Sequence, residues 1–100
     1  MAKIIVFYEQ PKDKEGFEKY YFDVHIPLGR KIPHIKSESI QRVIQTQNSN
    51  LNFYLITELE FESLDTLNQA LSSPEAKAAE ADGIHLFKYL NNPPIITIIE

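Results

Sequence analysis

A chain of 100 residues, 43% hydrophobic and 24% charged, has the make-up of one small globular domain, which self-association would help to bury. A formal net charge of −4 speaks against the basic face that general nucleic-acid binders use. The absence of cysteine excludes disulfides and thiolate metal sites.

No apolar run reaches the roughly 18 residues that a membrane-spanning helix needs. The N-terminal run ending at Tyr8 is too short for a signal peptide and lacks a small-residue cleavage site. The expectation is therefore a single cytoplasmic domain over residues 1–100, with neither nucleic acid nor membrane as a partner.

Lys3 to Tyr8 is continuously apolar and rich in β-branched and aromatic residues, which predicts a strand covered on both faces. Pro11 breaks it, and Asp13 is placed to cap a helix. That helix carries Phe17, Tyr20, Tyr21, Val24 and Leu28 as an apolar stripe, with His25 on or beside it. Pro27 withholds a backbone donor there and frees carbonyls around residues 23 to 26, Gly29 loosens the chain further, and Pro33 ends the element.

Ser37 to Thr46 is the next predicted strand, with Ile40, Val43 and Ile44 as its apolar content. Asn48, Ser49 and Asn50 then turn the chain into a hairpin. The partner strand runs from Leu51 to Phe61. Period-2 alternation puts Leu51, Phe53, Leu55, Leu59 and Phe61 on one face, and Tyr54 and Ile56 on the other.

Ser63 can cap a short helix bearing Leu64, Leu67 and Leu71. Ser73 and Pro74 restart the helix as N-cap and first helical residue. Its expected inward stripe is Ala76, Ala79, Gly83, Phe87 and Leu90. Asn91 to Pro94 stop it, and Ile95 to Ile99 form a last strand that is apolar on both faces.

The order strand–helix–strand–strand–helix–strand is the split βαβ, ferredoxin-like arrangement. It is an α+β fold with a four-stranded antiparallel sheet and its helices on one face. Helices can cover only one face, whereas the first, third and last strands are apolar on both. A monomer would expose a large apolar patch, so a homodimer packed sheet against sheet is expected.

The run Phe17-x-x-Tyr20-Tyr21-x-x-x-His25-x-Pro27-Leu28, followed by Lys31-x-Pro33, resembles the helix signature of the EthD family. That family is named for an ethyl tert-butyl ether degradation cluster. Ala81-Asp82-x-x-x-x-Phe87 is similar to its second-helix motif, and length and element order agree across the chain. The resemblance implies a dimeric α+β barrel, with a ligand between helices and sheet of one protomer. Relatives on that fold include cofactor-free monooxygenases, muconolactone isomerases, small decarboxylases or cyclases, and haem-binding chlorite dismutases.

His25 is the leading functional candidate, as a general acid or base or as a donor that orients a carbonyl or phenol. The plainer reading has it bonding a carbonyl freed by Pro27. Tyr21 is a candidate auxiliary to His25, and Asp82 could orient His25 or His85, polarise a ligand, or simply face solvent. Phe17, Tyr20, Tyr54 and Phe87 are candidate ligand-binding residues, against the ordinary alternative that aromatic stripes are core. Tyr8 and Phe22 are similar candidates, while His34 and His85 read as surface residues.

The three histidines lack the close spacing of a metal or haem site, so no metal and no cofactor are expected. Gly29-Arg30-Lys31 could meet an anionic substrate or be a solvated helix end. No glycine-rich phosphate loop and no nucleophile triad are visible.

These residues read as a small enzyme that binds an apolar or aromatic oxygenated compound in a helix–sheet cleft. Its expected chemistry is acid–base, of isomerase, cyclase, decarboxylase or cofactor-free monooxygenase type, in catabolic or secondary metabolism. The alternative is a non-catalytic binding or accessory protein. A third possibility is a cleft filled by Phe17, Tyr20, Tyr21 and Phe87 themselves.

Overall fold

A computed structural model describes residues 1–100. Strand β1 (Ala2–Glu9) leads to helix α1 (Lys14–Tyr20), a π-helical turn (Tyr21–His25) and a short α2 (Ile26–Gly29). Strands β2 (Ser37–Arg42) and β3 (Phe53–Phe61) follow, then α3 (Leu64–Leu71) and α4 (Pro74–Leu86). A 3₁₀ turn (Phe87–Tyr89) and β4 (Ile95–Ile99) close the fold.

The four strands form one sheet in the order β2-β3-β1-β4, and every adjacent pair is antiparallel. This is the expected ferredoxin-like arrangement. The helices begin where the capping residues dictate. Asp13 accepts from the Gly16 N–H at 3.0 Å, Ser63 from Thr66, and Ser73 from Ala76, with Pro74 next.

Register explains which residues meet the helices. Ile4, Val6 and Tyr8 stand opposite Leu59, Thr57 and Leu55, so all six share the covered face. Two core clusters form there. One joins Tyr8, Phe17, Tyr21, Ile26, Tyr54, Leu55, Leu86 and Leu90; the other joins Ala2, Ile4, Phe61, Leu67 and Ala70. Ile5, Phe7 and Ile56 point the opposite way, and the Phe7 and Phe53 rings meet there at 5.3 Å. Strand β4 adds Ile95 and Ile99 to this open apolar face.

Four expectations are corrected. The first concerns the helix stripe. Val24 is 38% exposed and Ile26 is buried instead, because the wide turn inserts one residue between inward positions. The Ile26 N–H bonds the Tyr21 carbonyl five residues back, next to the proline that cannot donate. Inward spacing thus becomes four from Phe17 to Tyr21 and five from Tyr21 to Ile26.

The second concerns β2, which ends at Arg42 rather than Thr46; Ile44 is 95% exposed. Opposite it, the start of β3 is engaged from the other side. The Gln10 N–H and side-chain amide bond the Asn52 and Phe53 carbonyls at 2.9 and 3.1 Å. The third follows from a register shift between Tyr8 and Glu9. It turns Tyr54 inward against Phe17 and leaves Phe53 on the open face with Phe7. The fourth concerns α4, whose inward residues are Ala76, Ala79 and Leu86, continued by Leu90. Phe87 begins the 3₁₀ turn and is 43% exposed.

Candidate active site

The wide turn sets the geometry around His25. By advancing Ile26 to the inward position, it leaves His25 lying against Tyr21, with ring centroids 5.8 Å apart and planes 27° from parallel. The imidazole reaches sideways to α4, where Ala76 and Ala79 are buried small residues. Asp82 Oδ2 lies 3.0 Å from His25 Nδ1, and Asp82 Oδ1 accepts from the Tyr20 hydroxyl at 2.5 Å. Both carboxylate oxygens are therefore engaged, and the Asp82 side chain is only 9% exposed.

Electrostatics fixes the protonation states of the partners. Burial pushes the Asp82 carboxyl up, but the hydrogen bonds from Tyr20 and His25 outweigh it and hold the group below its ordinary range. The same hydrogen bond, with burial, raises the Tyr20 phenol to about 12. Near neutral pH, Asp82 is a carboxylate and Tyr20 a donor. Asp82 then accepts from Nδ1–H, so neutral His25 carries its lone pair on Nε2, which makes no hydrogen bond within the protein.

His25 borders a cleft of about 90 Å³ between the wide turn, α2 and the sheet. Val6, Ile26, Ile32 and Leu59 form much of its apolar wall, and Tyr8, Tyr21, Thr57 and Glu38 supply polar groups beside His25. The Tyr21 and Thr57 hydroxyls are hydrogen-bonded to each other. Burial drives the Tyr21 phenol up to about 12; hydrogen bonds from Thr57 and Tyr8 work against that rise, and the charge of Glu38 adds to it. Burial, reinforced by Tyr21, raises the Tyr8 phenol well above its ordinary value. Both phenols stay protonated at neutral pH.

His25, Tyr21 and Asp82 are thus brought together, and Tyr8 joins them from β1. Tyr20 grips Asp82 and faces a separate outer groove of about 310 Å³ with Lys19, Val24 and Tyr89. Phe17, Tyr54 and Phe87 do not line the His25 cleft. Phe17 is wholly buried, stacked on Tyr21 and edge-on to Tyr8 and Tyr54. The Tyr54 hydroxyl is turned to Glu18, which also binds Arg42 at 2.6 Å. Since none of these rings plugs the cleft, it is open beside His25.

Arg30 forks onto Glu38 at 2.9 and 3.2 Å, so it is already paired with a carboxylate. Glu38 and Thr57 were not foreseeable as site residues from local pattern alone. The available signal was Thr57 itself, a polar residue at the inward register between Leu55 and Leu59.

The Asp82 clamp has a measurable consequence. Its carboxyl is lower in the folded chain than in the unfolded one, so the stability it contributes is full above the unfolded value, near 4. That contribution is lost as pH falls through the folded value. Asp82→Asn will therefore have a lower melting temperature than wild type at neutral pH, and the gap will close below about pH 4. Melting curves of both proteins across acid pH check this.

The comparisons agree with this architecture. A family model described as the EthD domain matches residues 9–88. An EthD family protein from Bacillus halodurans C-125 superposes with a TM-score of 0.86 at 34% identity, over 100% of this chain and 97% of that one. A hydroxynitrile lyase from Passiflora edulis shares the fold at a TM-score of 0.71 and 14% identity, covering 98% and 90%. So does a dimeric ferredoxin-like protein of unknown function from Jannaschia sp. CCS1, at 0.69 and 11%, covering 100% and 99%. No curated protein matches in sequence. On the family match and the full-length 34% relative, this chain belongs to the EthD family.

Proposed function

We propose that the protein is an acid–base catalyst acting on a small oxygenated compound whose remainder is apolar or aromatic. The observation that carries this reading is an imidazole held through Nδ1 by a doubly bonded carboxylate, with Nε2 unused beside a cleft containing paired hydroxyls. Nε2 takes a proton from carbon next to a carbonyl, and the electron pair moves onto the carbonyl oxygen. A Tyr21 or Thr57 hydroxyl stabilises that oxyanion, while Asp82 stabilises the imidazolium. Return of the proton to another carbon or ring closure would give isomerase or cyclase outcomes. Proton removal is likewise a first step open to a cofactor-free oxygenase. A hydroxynitrile lyase of the same fold is compatible with chemistry that begins in proton transfer.

Proton exchange tests the reading before any physiological substrate is known. Ketones such as hydroxyacetone and phenylacetone, incubated with the protein in deuterium oxide, should gain deuterium next to the carbonyl faster than in buffer, as followed by proton NMR. Binding without exchange would instead mark a carrier or accessory protein.

The reading includes a homodimer joined through the open sheet face. Ile5, Phe7, Phe53, Ile56, Ile95 and Ile99 stand together there, and a second copy offers the same surface in return. The expected species in native mass spectrometry is a dimer, and Phe7→Glu should shift it to monomer. A wild-type monomer would refute the assembly.

A further inference from the structure

Hydrogen-bonding capacity around the cleft narrows the ligand class. The geometry points to a neutral head bearing a carbonyl and an adjacent hydroxyl, and to rejection of carboxylates; this rests on the proposed use of the His25 cleft. The Tyr21 and Thr57 hydroxyls hold two hydrogens, of which their mutual bond uses one. One donor remains, because the Tyr8 phenol, which also lines the cleft, gives its own hydrogen to Tyr21. That donor suits a lone pair of one carbonyl oxygen.

The acceptors are different groups. Nε2 of His25 is unpaired in the fold. Glu38 gives Arg30 its better contacts through Oε1, while Oε2 keeps only a long 3.4 Å contact. A ligand hydroxyl can donate to either acceptor, which a plain ketone cannot do.

Charge supplies the second half of the inference. No lysine or arginine lines the cleft, and Glu38 is the one acidic residue in its wall. Arg30 lies outside, bound to Glu38, and Asp82 stands behind His25. An anionic ligand would therefore meet carboxylates without a free cation to offset them. Size limits the head as well. A dry cavity of about 150 Å³ accommodates benzene, so about 90 Å³ takes a few heavy atoms and leaves any ring or chain at the open mouth.

The test is a titration of nitrogen-15-labelled protein with hydroxyacetone, acetone and lactate, read from the amide shifts of Tyr21, Glu38 and Thr57. Hydroxyacetone should bind most tightly, with acetone weaker and lactate at least about tenfold weaker. Glu38→Gln, which removes the cleft charge and frees Arg30, should narrow the gap between hydroxyacetone and lactate. Arg30→Gln, which leaves Glu38 uncompensated, should widen it, and this exposed substitution serves independently if Glu38→Gln does not fold.

Lactate binding as well as hydroxyacetone, a gap that neither variant moves, or no saturable shift with any probe would overturn the proposal. Selective binding without deuterium exchange would sink the catalytic reading and leave this one intact. Exchange without selectivity would do the opposite.

Discussion

His25→Gln will lower protein-catalysed deuterium exchange by about 10²- to 10⁴-fold, the usual worth of a positioned general base. Glutamine keeps roughly the reach and polarity of histidine, so binding of the ketone should change only modestly. It has no lone pair basic enough to take a proton from carbon, and that is the property the test isolates. Asp82 would still be held by Tyr20, and the Tyr21–Thr57 pair would be untouched. Parallel titration and exchange measurements on the two proteins separate the alternatives. Retained exchange would remove His25 from the mechanism; lost binding with lost exchange would make it a ligand anchor.

Phe17→Ala should cost about 3–5 kcal/mol of stability, the range for deleting a fully buried aromatic ring. Phe17 sits at the centre of four rings. It stacks on Tyr21 at 5.3 Å and meets Tyr8 and Tyr54 edge-on at 5.4 and 5.9 Å. In a domain of this size, 1 kcal/mol moves the melting temperature by about 4–8 °C, so the fall should exceed about 12 °C. A thermal melt reads it directly. A near-neutral result would show that the ring is not a core element, and would return Phe17 to the ligand-binding role suggested by its place on the stripe. Phe17 and His25 both stack on the Tyr21 ring, so core and site meet there.

The contrast between Phe17 and His25 shows what local sequence could reveal. Both stand on one predicted helix, and the unusual placement of an imidazole beside an apolar stripe identified His25 as the residue to follow. Nothing in that stripe separates a ring lining a cleft from a ring filling the core, since both have the same chemistry and spacing. Phe17, Tyr54 and Phe87 were candidates for this reason, and none lines the cleft. The distinction depends on what the sheet places opposite each ring.

Capping residues, prolines, apolar runs and the doubly apolar strands determined the element order, the helix starts and the presence of an open hydrophobic sheet face. These are local preferences, or direct results of burial. The tertiary structure decided the rest. Pro27 signalled a disturbed turn, but only the packed helix shows it absorbing one residue, burying Ile26 and exposing Val24. Asp82 lies 57 residues beyond His25 and Thr57 lies 36 beyond Tyr21, and the contact of each pair follows from α4 and β3 packing around the wide turn. Glu38 entered the cleft through strand register, which a one-residue slip would have reversed. The histidine was legible because its chemistry is unusual where it stands; its partners were not, because distance along the chain carries no information about them until the sheet and helices close.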